Sequence, residues 1–86
     1  LPFMEGYSIL EMTPPKSLIG KKLMDLNLIN RFGIQVIAIK ESVPEKVNMV
    51  PTANYTLKES DILIVLGSNE GIEQFKQEEE EEKGPV

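Results

Sequence analysis

The single arginine of the chain, Arg31, is the residue best suited to bind an anion. A guanidinium can hold a phosphate through two parallel hydrogen bonds. A lone surface arginine is more often solvated or paired with a carboxylate, so a structural role competes with a ligand role. Two large apolar residues precede it, Leu28 and Ile29, and they cannot both face the core from a one-turn helix. We expect one of them to contact a partner or a ligand.

A second place for an anion is the Gly67-Ser68-Asn69 turn, which follows an apolar run and precedes a helix-like segment. Backbone N–H groups at a helix N-terminus attract anions. The simpler interpretation is a tight turn in which Ser68 caps the helix. None of the six glycines falls in a dinucleotide-binding or P-loop spacing, so we predict no nucleotide cradle in this chain.

Catalysis and metal binding have little support in the composition. The chain has no cysteine and no histidine, which removes thiol nucleophiles, thiolate metal sites and the commonest general base. Four acidic residues could offer oxygen ligands, but they lack EF-hand spacing and are expected in solvated turns: Glu41, Glu45, Glu59 and Asp61. We predict no catalytic residue, no metal site and a protein that is not an enzyme.

The totals favour one small domain that associates with a partner. A chain of 86 residues buries only about 60% of its unfolded surface. The net charge of −5 comes largely from residues 78–82, and no basic face is available, so we expect no nucleic-acid binding. No apolar run approaches the roughly 20 residues of a membrane span. This indicates a soluble chain, and the absence of cysteine suits a reducing compartment.

The first half of the chain alternates between strand and helix signals. Residues 7–12 have the pattern of a strand, which Pro14 and Pro15 end. Ser17 is predicted to cap a helix, and Asn27 to cap one further turn over residues 28–32. Gly33 supplies the positive φ that ends a helix, and the apolar residues 34–40 follow as the predicted centre of the sheet.

The second half adds two strands and a closing helix. Residues 41–47 are predicted to form an exposed turn, and residues 47–50 a short strand ended by Pro51. Residues 62–66 form the clearest strand, and a helix follows from Ser68 to about Lys76. Beyond that point the consecutive glutamates repel one another, so we expect the helix to fray.

These elements predict an α+β fold in which a small mixed or antiparallel sheet carries short helices on one side. Both faces of the sheet are apolar, so a second copy or a neighbouring lobe is expected to cover the open side. The predicted organisation is a linker or docking arm over residues 1–5, a folded domain over residues 6–76 and an acidic disordered tail over residues 77–86.

Over about residues 6–75 the chain resembles the TrkA C-terminal domain, which is the C-lobe of RCK (regulator of potassium conductance) proteins. Four stretches carry the resemblance in order and spacing: Leu18-Ile19-Gly20-Lys21-Lys22-Leu23, Leu26-Asn27-Leu28 leading to Arg31-Phe32-Gly33-Ile34, Val36-Ile37-Ala38-Ile39-Lys40, and Leu57-Lys58-Glu59-Ser60-Asp61-Ile62-Leu63-Ile64-Val65-Leu66-Gly67.

The resemblance implies a cytoplasmic regulatory lobe that forms a homodimer and is peripheral to the membrane through its partners. Those partners are a Rossmann-type TrkA N-lobe, which binds NAD or an adenine nucleotide, and a membrane potassium-translocating subunit of a gating ring. No cofactor is expected in this chain itself. Since the N-lobe is missing, the resemblance implies either a piece of a longer regulator or one subunit of a split regulator.

In some members of the family the dimer binds cyclic di-AMP at its twofold interface. The resemblance places the ligand-binding or dimer interface at eight positions: Asn27, Leu28, Ile29, Asn30, Arg31, Phe32, Ile34 and Gln35. Two of them differ from the family pattern. Ile29 stands where a phosphate-pairing arginine is usual, and Gln35 stands where an asparagine is common.

Two alternatives accompany the regulatory interpretation. The first is a structural assembly piece that joins N-lobes and binds no ligand. The second is a small-molecule-sensing domain of a metabolic enzyme, which would require a βαββαβ order. The sequence lacks a convincing strand after its last helix, which disfavours the second alternative.

Overall fold

Five antiparallel strands form one sheet in the computed structural model, which describes residues 2–83. The strands are β1 (Pro2–Met4), β2 (Tyr7–Met12), β3 (Ile34–Ser42), β4 (Glu45–Met49) and β5 (Ile62–Ser68). Their spatial order is β1-β2-β5-β3-β4, and each neighbouring pair is antiparallel. The predicted α+β class is therefore confirmed, with an antiparallel sheet.

The helices are short except for the last one. A 3₁₀ turn spans Lys16–Leu18, α1 spans Leu23–Leu26, α2 spans Leu28–Phe32 and α3 spans Asn69–Lys83. As the sequence predicts, the Ser68 hydroxyl oxygen accepts a hydrogen bond from the Gly71 N–H (2.9 Å) at the start of α3. Within residues 2–83 no strand follows α3, so the βαββαβ order is not present in the part of the chain that the structure describes.

β5, and not β3, is the middle strand of the sheet. β2 pairs with β5 through register pairs such as Leu10 with Val65, and β3 pairs with the other edge of β5. The prediction that residues 34–40 form the centre is wrong by one strand. An apolar run on both faces is expected of any interior strand, so the composition of β3 could not tell the two positions apart.

The helices cover one face of the sheet, and that face holds the core. Leu63 and Val65 of β5 are buried there with Ile34 and Ile39 of β3 and Phe75 of α3. The opposite face carries exposed apolar side chains on three strands: Tyr7, Val47, Met49 and Ile62. The chain thus buries only one of the two apolar faces by itself.

Two predicted helix caps differ in detail. Ser17 lies inside the 3₁₀ turn and caps nothing, because the turn already begins at Pro15, whose carbonyl accepts the Leu18 N–H (2.9 Å). Asn27 separates α1 from α2 in a left-handed conformation (φ 54°), which short polar side chains tolerate. Gly33 ends α2 with φ 69°, as the sequence predicts.

Both ends of the chain carry more structure than the sequence indicates. The segment predicted as a linker or docking arm contributes β1, which pairs with β2. Helix α3 continues to Lys83 instead of fraying after Lys76, since Glu, Gln and Lys favour helix and Glu78 is ion-paired with Arg31. Leu1 and the last three residues of the predicted tail, 84–86, lie outside the described residues.

Candidate ligand and dimer site

A cleft of about 400 Å³ lies between the two short helices and the start of β3. Its walls come from α1 and α2, from the first residues of β3, and from the segment that follows β4. The lining residues are Leu23, Met24, Asn27, Leu28, Ile29, Asn30, Ile34, Gln35, Val36, Pro51 and Ala53. The volume lies in the range of about 300–1,000 Å³ that is usual for small-molecule sites.

The two short helices decide which apolar side chains face the cleft. Leu28 is 7% exposed and packs in the core, whereas the next residue, Ile29, is 59% exposed. Met24 on α1 is similarly open, at 58%. The expectation that Leu28 and Ile29 cannot both be buried is confirmed, and it is Ile29 that remains free to make an outside contact.

The floor of the cleft is the first part of β3, beside the end of β4. The β4 strand pairs with β3 only from Ala38 onward, so residues 34–36 are not paired with β4. The segment that follows β4 instead turns toward α1. There the Met24 N–H donates to the Ala53 carbonyl (3.0 Å), and the Leu23 N–H donates to the Tyr55 carbonyl (3.0 Å). These bonds hold the wall of the cleft in place.

Three carboxamides supply the polar groups of the cleft: Asn27, Asn30 and Gln35. The Asn30 amide nitrogen donates to the Asn27 side-chain oxygen (2.8 Å), which fixes these two groups relative to each other. All the other lining residues are apolar, and none carries a charge. The cleft can therefore offer hydrogen bonds and apolar contact, but no ion pair from its own lining.

Arg31 and Phe32 lie away from the cleft. The Arg31 guanidinium is ion-paired with Glu78 of α3 and lies 4.8 Å from the centre of the Phe32 ring. Phe32 packs edge-to-face against Phe75 with ring centres 5.2 Å apart. The structure therefore brings six of the eight predicted site residues together. It places the side chains of the other two, Arg31 and Phe32, between α2 and α3.

Five lining residues escaped the sequence interpretation. Leu23 and Met24 precede the predicted segment, Val36 follows it, and Pro51 and Ala53 are distant in sequence. The helical spacing of residues 23 and 26 is a weak signal for α1. No local signal could place Pro51 and Ala53, since their position depends on the backbone bonds to α1.

A second polar cluster stabilises the turn that leads into β5. The Asp61 carboxylate, 1% exposed, accepts hydrogen bonds from the Tyr55 hydroxyl (2.8 Å) and the Lys58 N–H (2.9 Å). Burial, together with the hydrogen bond to Asp61, raises the pKa of the Tyr55 hydroxyl. The expectation that Asp61 lies in a solvated turn is wrong. Its carboxylate is buried and accepts hydrogen bonds from these two protein donors instead of from water.

Glu41 extends this cluster onto β3 and is also buried, at 6% exposure. Its carboxylate accepts a hydrogen bond from the Lys58 ammonium (2.9 Å), and this bond holds the pKa of Glu41 below its ordinary 4.5. The same contact raises the pKa of Lys58. The prediction that Glu41 is solvated is wrong, whereas Glu45 and Glu59 are exposed as expected.

Neither cluster has the arrangement of a metal site. Among residues 2–83 there is no group of three or more histidine, cysteine or acidic side chains that could hold a metal ion. Within the same residues, no helix has both the length and the apolar character needed to span a bilayer. The cleft is therefore the feature of this part of the chain that best suits a ligand.

The TrkA-C domain model matches residues 8–78 of the chain. Among curated proteins, the Ktr system potassium uptake protein C of Bacillus subtilis is 34% identical over 76 residues, which is 88% of this chain and 34% of that protein. The chain thus spans about a third of the length of this relative, and about a third of that of the Ktr system potassium uptake protein A of the same organism.

Solved structures of RCK C domains share the fold of this chain. The RCK C domain of the potassium transport protein KtrA, in complex with cyclic di-AMP, superposes with a TM-score of 0.76 at 28% identity, covering 86% of this chain and 85% of that one. The RCK_C domain dimer of Streptococcus agalactiae BusR, also in complex with cyclic di-AMP, has a TM-score of 0.72, covers 93% of this chain and 99% of that one, and at 17% identity shows the fold alone.

Proposed function

Because this chain belongs to the TrkA-C domain family, we propose that it is the non-enzymatic regulatory and dimerisation lobe of a potassium transport or channel-gating assembly. The observation that carries the proposal is the exposed apolar pair of Met24 and Ile29 at the rim of the cleft, in a chain of this family. Two copies related by a twofold axis would cover these side chains and place their clefts together.

The proposed dimer interface contains fewer apolar residues than the sequence predicts. Of the apolar residues expected at the interface, Leu28 and Ile34 are buried in the core of the same chain, and Phe32 packs on Phe75. Ile29 is the one that can reach a partner, and Met24 joins it from α1. The proposed interface is therefore centred on Ile29, with the amides of the cleft beside it.

Ligand sensing at this interface is part of the proposal. The KtrA domain that this chain resembles was solved with cyclic di-AMP, so this dinucleotide is the first ligand to test. A ligand held between two clefts would favour the paired state over the separated one by its differential affinity for the two. That differential affinity is how a lobe without catalytic groups can regulate.

The remaining partners belong to a larger assembly. We propose a Rossmann-type N-lobe that holds NAD or an adenine nucleotide, and a membrane potassium-translocating subunit. The Ktr relative is named as a potassium uptake protein and is about three times longer than the matched segment, which supports a role for this lobe within a longer system. The assembly would place the lobe in the cytoplasm at the membrane, without nucleic acid as a partner.

S. agalactiae BusR, which shares the fold alone, was solved with its promoter DNA. A nucleic-acid binding assay on this chain therefore tests the expectation that nucleic acid is not a partner.

The oligomeric state tests the proposal directly. We expect light scattering to give a dimer mass for the unaltered chain at high micromolar concentration. Ile29→Asp places an unpaired charge in the interface and should shift the protein to monomer. Val43→Asp, at a site 79% exposed on the β3–β4 turn, is the matched control and should remain dimeric. A monomer for the unaltered chain, or an equal effect of the two variants, would contradict the proposal.

A further inference from the structure

Helix α1 is too short to be stable by itself. It has four residues, and the first N–H groups of any helix lack acceptors within that helix. Lys22, which precedes α1, makes no side-chain hydrogen bond to the helix within the described part of the chain. Another segment must therefore hold α1, and with it the exposed Met24 of the proposed interface.

That segment consists of residues 53–57, which we term the capping segment. The Tyr55 carbonyl accepts the N–H of Leu23 (3.0 Å). The Ala53 carbonyl accepts the N–H of Met24 (3.0 Å). The capping segment thus supplies the acceptors that the first two residues of α1 require.

A buried carboxylate attaches the capping segment to the sheet. Asp61 is 1% exposed and immediately precedes β5, the middle strand. Its Oδ2 accepts hydrogen bonds from the Tyr55 hydroxyl (2.8 Å) and from the Lys58 backbone N–H (2.9 Å). Hydrogen bonds to an ionised acceptor are roughly twice as strong as those between neutral groups. The bond to Tyr55 is therefore a firm attachment for the capping segment.

We propose that Asp61 and Tyr55 are positioning residues for the dimer contact. Their hydrogen bond fixes the capping segment, the capping segment holds α1, and α1 sets the position of Met24 at the interface. Neither Asp61 nor Tyr55 lines the cleft. This inference rests on the proposed function, because it specifies what holds one half of the proposed interface.

Leu57 is a second attachment of the capping segment, since its side chain is 1% exposed in the core. It holds only the C-terminal end of the segment, whereas Ala53 and Asn54 at the other end are exposed. Tyr55 lies between these two ends, and its carbonyl reaches α1. Loss of its hydroxyl should therefore release the exposed end while Leu57 keeps the other end in the core.

Amide hydrogen exchange tests the positioning role. Tyr55→Phe removes the hydroxyl and keeps the ring, so exchange of the Leu23 and Met24 amides should become about tenfold faster or more. The Gly33 amide, which donates to the Ile29 carbonyl within α2 (2.8 Å), should keep its rate. A role in global stability alone would accelerate the most protected amides of the sheet and leave the local opening of α1 unchanged.

The other of the two tyrosines provides a matched control. Tyr7 is exposed on the face of the sheet opposite to the helices, and Tyr7→Phe removes the same group. This variant should leave exchange of the Leu23 and Met24 amides unchanged. An equal acceleration in the two tyrosine variants, or none in Tyr55→Phe, would overturn the inference.

Asp61→Asn tests the acceptor of the bond. The amide keeps one oxygen but loses the charge, so both donors should bind more weakly, and exchange of the Leu23 and Met24 amides should again become faster. In the Tyr55→Phe background the same substitution should have a smaller effect, because the shared bond is already absent. Equal effects in the two backgrounds would contradict the assignment.

A dilution series followed by light scattering connects this attachment to the interface. Tyr55→Phe should weaken the dimer by about three- to tenfold, since Met24 must then be ordered during association. Faster exchange with an unchanged dimer would overturn the connection to the interface. A monomeric unaltered chain would instead contradict the proposed function. Exchange measured in the Ile29→Asp background would still decide the positioning role, because the capping segment and α1 belong to one chain.

Discussion

Gly71 lies so close to the carbonyl of Phe32 that a β carbon at position 71 would sit 2.1 Å from that oxygen. The contact joins the first turn of α3 to the last residue of α2, next to the edge-to-face pair of Phe32 and Phe75. Because the neighbour is backbone and not a flexible side chain, the packing of the two helices requires glycine at position 71.

The first prediction concerns this contact. Gly71→Ala should lower the free energy of unfolding by about 1–3 kcal/mol, because the clash requires a shift of backbone. The gain of up to about 1 kcal/mol from replacing a helical glycine is smaller than this penalty. Urea unfolding measures the change. Glu73→Ala, at an exposed position of the same helix, should change the free energy of unfolding by no more than about 0.5 kcal/mol. An equal loss in both variants would contradict the explanation.

A second prediction separates the two contacts that attach α3. Phe75 is 5% exposed, and Phe75→Ala should cost about 3–5 kcal/mol, which is a large part of the stability of a small domain. Arg31→Ala removes an exposed ion pair and should cost no more than about 1 kcal/mol. Arg31→Ala should also leave ligand binding at the cleft unchanged. Loss of binding in this variant would show that Arg31 reaches the ligand after all.

The third prediction follows from the ion pair between the buried Glu41 and the exposed Lys58. A hydrogen bond from Lys58 lowers the pKa of Glu41 below 4.5, so this pair stabilises the fold above about pH 4.5 and loses its effect as the pH falls through the lowered value. Lys58→Met should raise the pKa of Glu41, since burial then acts on the carboxylate without that bond. Carbon-13 NMR of the glutamate carboxyl would report the shift.

Lys46 provides the control for that measurement. Its ammonium lies 3.8 Å from the other carboxylate oxygen of Glu41 and is 58% exposed. Lys46→Met should therefore change the pKa of Glu41 less than Lys58→Met does. If the two variants gave equal shifts, the hydrogen bond would not be the main cause.

Several local features could be read from the sequence because they depend on nearby residues. The alternation in residues 7–12 and the apolar run in residues 62–66 both predict strands that the structure contains. Gly33 and Ser68 act as the helix end and the helix cap that their residue types favour. The absence of histidine and cysteine removed whole classes of chemistry without any structure.

Other features needed contacts between distant parts of the chain. The pairing of β2 with β5, which places β5 in the middle, joins Tyr7 to Ser68 and cannot be inferred from either strand alone. The burial of Asp61 depends on its two hydrogen-bond donors, and that of Glu41 on Lys58, 17 residues away. Charged residues in a turn are solvated by default, and only packing against a partner reverses that expectation.

The sequence by itself determined the segment that contains the cleft, since six of its eight proposed residues line it. The tertiary structure alone decided which way the side chains of that segment point. Arg31 pairs with Glu78, 47 residues later, while Ile29 stays exposed beside Met24. The physical reason is that a one-turn helix fixes only the angle between successive side chains. The packing of α3 against α2 sets which of those side chains faces a neighbour and which faces the cleft.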